Sequence, residues 1–83
     1  MDDVFAALLG ILRDHRVVID PENPDVELAE AGVDSLIFVD LVLAIERHFD
    51  VRFQSEQISP ETFRTPQTIT DAVISLKDLA SNK

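Results

Sequence analysis

The run SLIFVDLVLAIERHF, residues 35 to 49, constrains this chain more than any other stretch. Its β-branched and aromatic residues suit a strand as well as a helix. Length and the return to charge at Glu46, Arg47 and His48 decide for a helix. Asp34 stands directly before the run as an N-cap. The pattern predicts a helix from Ser35 to about His48, with Phe49 closing its apolar stripe.

At about 100° per residue, Phe38, Val39, Leu41, Val42, Ile45 and Phe49 fall on one arc, the expected core face. Asp40, Arg47 and His48 fall opposite. Leu36, Ile37 and Ala44 land with those polar residues, so Leu36 and Ile37 make an apolar patch beside Asp40. Such patches mark binding surfaces, although scattered surface hydrophobes are ordinary. Here the pair follows directly on Ser35, which favours binding. Glu46 lies on the core side of the wheel, and nothing in the sequence explains it.

The remaining elements read from the same signals. Asp2 and Asp3 favour a helix start, and Val4, Phe5, Leu8, Leu9, Ile11 and Leu12 predict a helix over 3–15. Gly10 costs it up to about 1 kcal/mol relative to alanine. Residues 16–33 contain Pro21 and Pro24 and no sustained period; they read as an ordered loop pinned by Val18, Leu28 and Ala29. Ser59-Pro60-Glu61 pairs an N-cap with proline at the first helical position, predicting a short helix over 59–64. Thr68 and Asp71 resemble a capping box, and Ile69, Ala72, Val73, Leu76 and Leu79 form the stripe of a last helix. The expected fold is all-α, a four-helix bundle with a long first loop and a short third helix. At 83 residues it is a single domain, 1–83. The expected core is Phe5, Leu8, Leu12, Leu28, Phe38, Val42, Ile45, Phe49, Phe63, Ile69, Val73 and Leu76.

Composition removes several function classes. The chain has no cysteine, which excludes disulfides, thiolate catalysis and cysteine zinc sites. Sixteen acids against seven Lys and Arg give a formal charge of −9. That sign opposes nucleic acid and anionic membranes and suits partners with basic patches. Self-repulsion among the acids predicts a melting temperature that rises with moderate salt. MDDVFAALLGIL has no basic n-region and is not read as a signal peptide. Asp40 and Arg13-Asp14 interrupt the apolar stretches, so no bilayer span is expected. A cytoplasmic monomer is the expectation. DPENPD lacks the glycine and spacing of an EF-hand loop, and no metal site is expected.

Ser35 invites three readings. As a nucleophile it needs an adjacent base and an oxyanion hole; His15 and His48 lie at the far ends of their helices, and there is no G-x-S-x-G elbow. As a plain helix-start serine it is unexceptional. As an attachment point it would set a phosphodiester against the free N–H groups and positive dipole end of the helix.

AGVDSL before a long helix, followed by DLVLAIERHFDVRF and SPETFRTPQTITDAV, closely resembles the acyl carrier proteins. The likeness covers nearly the whole chain and is weakest before residue 25. The resemblance implies that a phosphopantetheinyl transferase, using Mg²⁺, moves 4'-phosphopantetheine from coenzyme A to Ser35. The arm's thiol would then hold cargo as a thioester. The chain itself would be no enzyme. Asp34 and Leu36 match the positions flanking the modified serine. Asp40 and Glu46 match acidic positions offered to basic partners, so Asp34, Leu36, Ile37, Asp40 and Glu46 form the expected docking set.

Two departures bear on pathway. Carriers of fatty-acid synthesis usually have an acid where Ile37 stands, and often continue an acidic run where this chain has Arg47 and His48. Peptidyl carriers often have GGxS or HS where this chain has GVDS. The expectation is therefore a discrete carrier of a polyketide or hybrid polyketide–peptide (antibiotic-type) pathway. Its partners would be an acyltransferase or adenylating ligase and a ketosynthase or other pathway enzymes. The rivals are an aminoacyl or aryl carrier loaded by a stand-alone adenylating ligase, and an unmodified helical adaptor.

Overall fold

The computed structural model describes residues 3–81. Three α-helices, α1 (Asp3–Asp14), α2 (Ser35–Phe49) and α3 (Pro66–Ser81), are joined by a long connection and by a segment holding a one-turn 3-10 helix, Ser55–Gln57. Helix α1 packs against both α2 and α3. Among the described residues there is no strand.

The expected helix over 59–64 is a single turn, so the described chain has three α-helices and not four. The N-cap did form: Thr62 N–H donates to Ser59 Oγ at 3.4 Å, and Phe63 N–H reaches the Ser59 carbonyl. Propagation fails because Thr65 precedes Pro66, and a residue before proline is driven out of the α region. Helix α3 starts anew there, with Pro66 at its first position. Its capping box lies three residues earlier than expected. Thr65 and Thr68 exchange N–H···Oγ bonds of 3.0 and 3.1 Å, while Asp71 accepts from Gln67.

The long connection is pinned at Leu28, as expected, but not at Val18 or Ala29. Arg16 takes a left-handed φ of 66°, and Val17 N–H closes onto the Leu12 carbonyl at 2.8 Å, a Schellman end that turns the chain back. The next residues are extended and alternate: Val17 and Ile19 are buried, while Val18 points to solvent at 78% exposure. Ala29, the other expected pin, is also exposed; Leu28 is buried. A helical turn over Glu27–Ala31 ends at Gly32, whose φ of 107° suits glycine. Val33 N–H then bonds to the Leu28 carbonyl.

Two backbone bonds stitch this connection to the segment before α3: Leu28 N–H to the Arg64 carbonyl at 2.8 Å, and Gln67 N–H to the Pro24 carbonyl at 3.1 Å. The core takes in most of the expected residues and adds Ile11, Val17, Ile19, Leu41 and Phe53. Phe5, Phe38 and Phe49 are half-buried rather than enclosed. The Phe63 ring is the hub: its centroid lies 5.1 Å from those of Phe38 and Phe53, edge to face in both pairs.

Candidate functional site

Ser35 is the first residue of α2 and is exposed. Asp34, in extended conformation, is its N-cap: the Asp34 Oδ1 accepts the Ile37 N–H at 3.0 Å, and the Asp34 carbonyl accepts the first helical bond, from Phe38. Of the donors a helix start leaves unpaired, those of Ser35 and Leu36 remain beside the Ser35 hydroxyl. Among the described residues no side chain holds that Oγ.

Ser35 opens onto a groove of about 670 Å³. Buried Leu28 and Phe63 and half-buried Val33 and Phe38 make its floor. Its exposed margin carries Ile58, Asp34, Glu61 and Arg64, with Glu27 beside them. Arg64 Nε donates to Glu27 Oε2 at 2.9 Å, joining the first connection to the segment before α3 at the groove's edge. The groove exists because that segment is stitched across the N-terminal end of α2.

The residues expected beside Ser35 do not all lie together. Leu36 is 78% exposed and Asp40 is exposed. Ile37 is half-buried and packs on the core, so it does not pair with Leu36 in an open patch. Val39, placed by the helical wheel on the core arc, is 53% exposed, and Leu43 is exposed as well. Leu36, Val39 and Leu43 recur at i, i+3 and i+7, a second apolar stripe on the side away from Leu41 and Ile45. That spacing was available in the sequence. It was hidden because a helix carrying two apolar stripes looks uniformly hydrophobic.

Glu46 sits apart from this surface. Its half-buried carboxylate accepts the Phe53 N–H at 2.9 Å, which explains its place on the core side of the wheel. At the same end, Asp50 adopts φ 55° and donates its N–H to the Glu46 carbonyl. Among the described residues, no helix is long and apolar enough to cross a membrane.

Comparison with known proteins bears on this geometry. A family model described as the phosphopantetheine attachment site matches residues 3–73. The chain is 39% identical over 57 residues to a D-alanyl carrier protein of Bacillus subtilis, a match covering 68% of this chain and 73% of that one. It is 30% identical over 71 residues to aminoacyl carrier protein 1 of Bradyrhizobium diazoefficiens, covering 86% and 78%. A D-alanyl carrier protein of Bacillus licheniformis is 32% identical over 68 residues, covering 81% and 83%.

Proposed function

This chain belongs to the phosphopantetheine attachment-site family, and we propose that Ser35 bears the 4'-phosphopantetheine and that the cargo is an amino acid delivered by a stand-alone adenylating ligase. Proteins of this family are carriers and not enzymes, and the group is joined to them covalently. The observation that carries the assignment to Ser35 is its position: an exposed, untethered hydroxyl at the start of α2, on the edge of a groove.

The residues present fit the group. The Ser35 Oγ is open to a transferase, and its attack on the coenzyme A pyrophosphate would release adenosine 3',5'-bisphosphate and leave a phosphodiester. The unpaired N–H groups of Ser35 and Leu36, with the helix dipole behind them, suit that negative charge. Asp34 occupies the third donor and fixes the turn, so the serine is presented on a rigid element. When bound, the group supplies a thiol, and hence thioester chemistry, to a chain without cysteine.

The amino-acid reading draws on the relatives, whose names are D-alanyl and aminoacyl carrier proteins. The polyketide pathway expected from Ile37, Arg47 and His48 has no such support, and half-burial of Ile37 weakens one part of the surface argument behind it. Docking of the loading enzyme falls to the stripe of Leu36, Val39 and Leu43 with Asp34 and Asp40. Glu46 is omitted because its carboxylate serves the Phe53 amide.

Intact mass after incubation with coenzyme A and a promiscuous phosphopantetheinyl transferase tests the site. A gain of one arm that disappears in Ser35→Ala is expected; an undiminished gain in the variant overturns it. Offering the holo protein to a D-alanine-activating ligase with ATP, and in parallel to a malonyl transferase, tests the cargo. Loading by the transferase alone defeats the amino-acid reading.

A further inference from the structure

The charges of this chain are sorted by place. Residues 20–40 hold seven acids and neither Lys nor Arg, whereas 13–16 and 47–52 hold four of the seven Lys and Arg against two acids, Asp14 and Asp50. The fold brings those two short runs together. Where the C-terminal ends of α1 and α2 meet, a cleft of about 560 Å³ is lined by Ala7, Gly10, Ile11, Arg13, Asp14 and His48. It lies about 20 Å along α2 from Ser35, at roughly 1.5 Å per residue.

Two features of this cleft are not accounted for by the fold. The side chains of Arg13, Arg16, Arg47 and Arg52 are exposed and make no bond or ion pair among the described residues, in a chain with sixteen acids to choose from. Arg13 and Arg47 offset the negative ends of their helices, but Arg16 and Arg52 lie outside the helices. The second feature is Gly10. Its φ is not positive, and a Cβ there would meet nothing within 4 Å, so neither backbone conformation nor close packing requires glycine. Alanine would favour the helix. What the missing side chain does is keep one wall of the cleft low.

We propose that this cleft docks an acidic segment of a partner protein. A glutamate or aspartate lays its stem on Gly10 and Ile11 and sets its carboxylate between Arg13 and His48, with the unpaired Arg47 beside them. The chain's charge of −9 decides the class of anion. It repels extended polyanions such as nucleic acid and anionic membranes, whereas a local acidic patch responds to the nearest arginines, within a screening length of about 8–10 Å. A partner seated here would hold the protein and leave Ser35, at the other end of α2, open to enzymes. The proposal makes no use of what Ser35 carries, so the unmodified protein serves for its test.

Hexaglutamate and hexalysine are titrated separately into isotope-labelled protein at low salt, and amide resonances are followed. Hexaglutamate is expected to shift Gly10, Arg13, His48 and Arg52 severalfold more than Ser35 and Leu36, and hexalysine the reverse. The hexaglutamate response should fall severalfold in the double variant of Arg13→Gln with Arg47→Gln, its folding verified by a melting curve. It should hold in Lys77→Gln, which removes a like charge from α3, and strengthen in Asp14→Asn, which removes the acid of the lining. About 1 M salt, where screening acts within about 3 Å, should abolish it. Gly10→Ala separates a shaped cleft from a merely basic surface: the melting temperature should rise while the response weakens. An unchanged response in Gly10→Ala overturns the cleft as the site. Shifts spread evenly over the molecule, equal shifts from inorganic phosphate at the same ionic strength, or none at all overturn the docking of an acidic segment. Sedimentation with phosphatidylglycerol vesicles would give the arginines to a membrane and overturn the protein partner.

Discussion

At its N-terminus α2 leaves the N–H groups of Ser35 and Leu36 facing outward beside a free hydroxyl; at its C-terminus the N–H groups of Asp50, Val51 and Phe53 are all tied to Glu46. There Asp50 closes the helix in the left-handed conformation, Val51 N–H bonds to the Glu46 carbonyl, and the Glu46 side chain reaches seven residues on to the Phe53 amide. One end is left open at the proposed attachment point, and the other is closed by bonds to Glu46. Unpaired polar groups are tolerable only where a ligand or water meets them. The contrast separates acids that look alike in sequence: Asp34 holds the working end in shape, and Glu46 holds the closed end together.

The largest effect should fall at the open end and concern modification alone. Ser35→Ala removes all transferable arm, read by intact mass, yet leaves the melting temperature unchanged, because the hydroxyl bonds nothing in the described structure. A variant that loses the arm and also melts early would mean that Ser35 is structural, and the two ends would not differ as described.

The next effect belongs to the closed end. Glu46→Ala leaves the part-buried Phe53 N–H without its acceptor, a loss of about 1–3 kcal/mol measurable by denaturant unfolding. Glu46→Gln keeps an acceptor oxygen and should recover most of it. Modification of Ser35 should proceed in both variants under conditions where they are folded. If Glu46→Ala instead slows loading while leaving stability intact, Glu46 belongs to the docking surface, as the resemblance to acyl carriers implied.

Much of this was legible in the sequence, for reasons that also explain the failures. The stripes of α1 and α3 and the Asp34-Ser35 start of α2 are local patterns, read within one or two turns. Val17, Ile19 and Phe53 were missed because an extended segment shows its period only through alternation. A stretch as short as Val17-Val18-Ile19 offers three equivalent aliphatics, and only the turn at Arg16 sets which two face inward. Glu46 was unreadable because its partner is a backbone amide beyond the helix end, and amides carry no sequence signal. The segment 59–64 carries real helix-start signals, but Pro66 stops it within one turn.

Asp34 sharpens the comparison from the other side. Asp34→Ala removes the acceptor for Ile37 N–H at 3.0 Å and should cost about 0.5–2 kcal/mol, with Asp34→Asn restoring most of it. Because the same residue shapes the turn that presents Ser35, the alanine variant should also be modified more slowly, and asparagine should rescue both. Rescue of stability without rescue of rate would assign Asp34 a separate, charged contact with the transferase.

The smallest effect is expected where the groove's edge looks most strongly held. Arg64 and Glu27 are joined at 2.9 Å, but their side chains are 62% and 42% exposed, and exposed pairs contribute about 0.2–1 kcal/mol. A double-mutant cycle with Arg64→Ala and Glu27→Ala should return a coupling in that range, shrinking with salt. The stitch itself should survive, because the bond that crosses here runs from Leu28 N–H to the Arg64 carbonyl and does not depend on either side chain. A coupling well above that range would mean that the ion pair, and not the backbone, holds the segment before α3 across the open end of α2. The groove would then open whenever a partner's basic patch competes for Glu27.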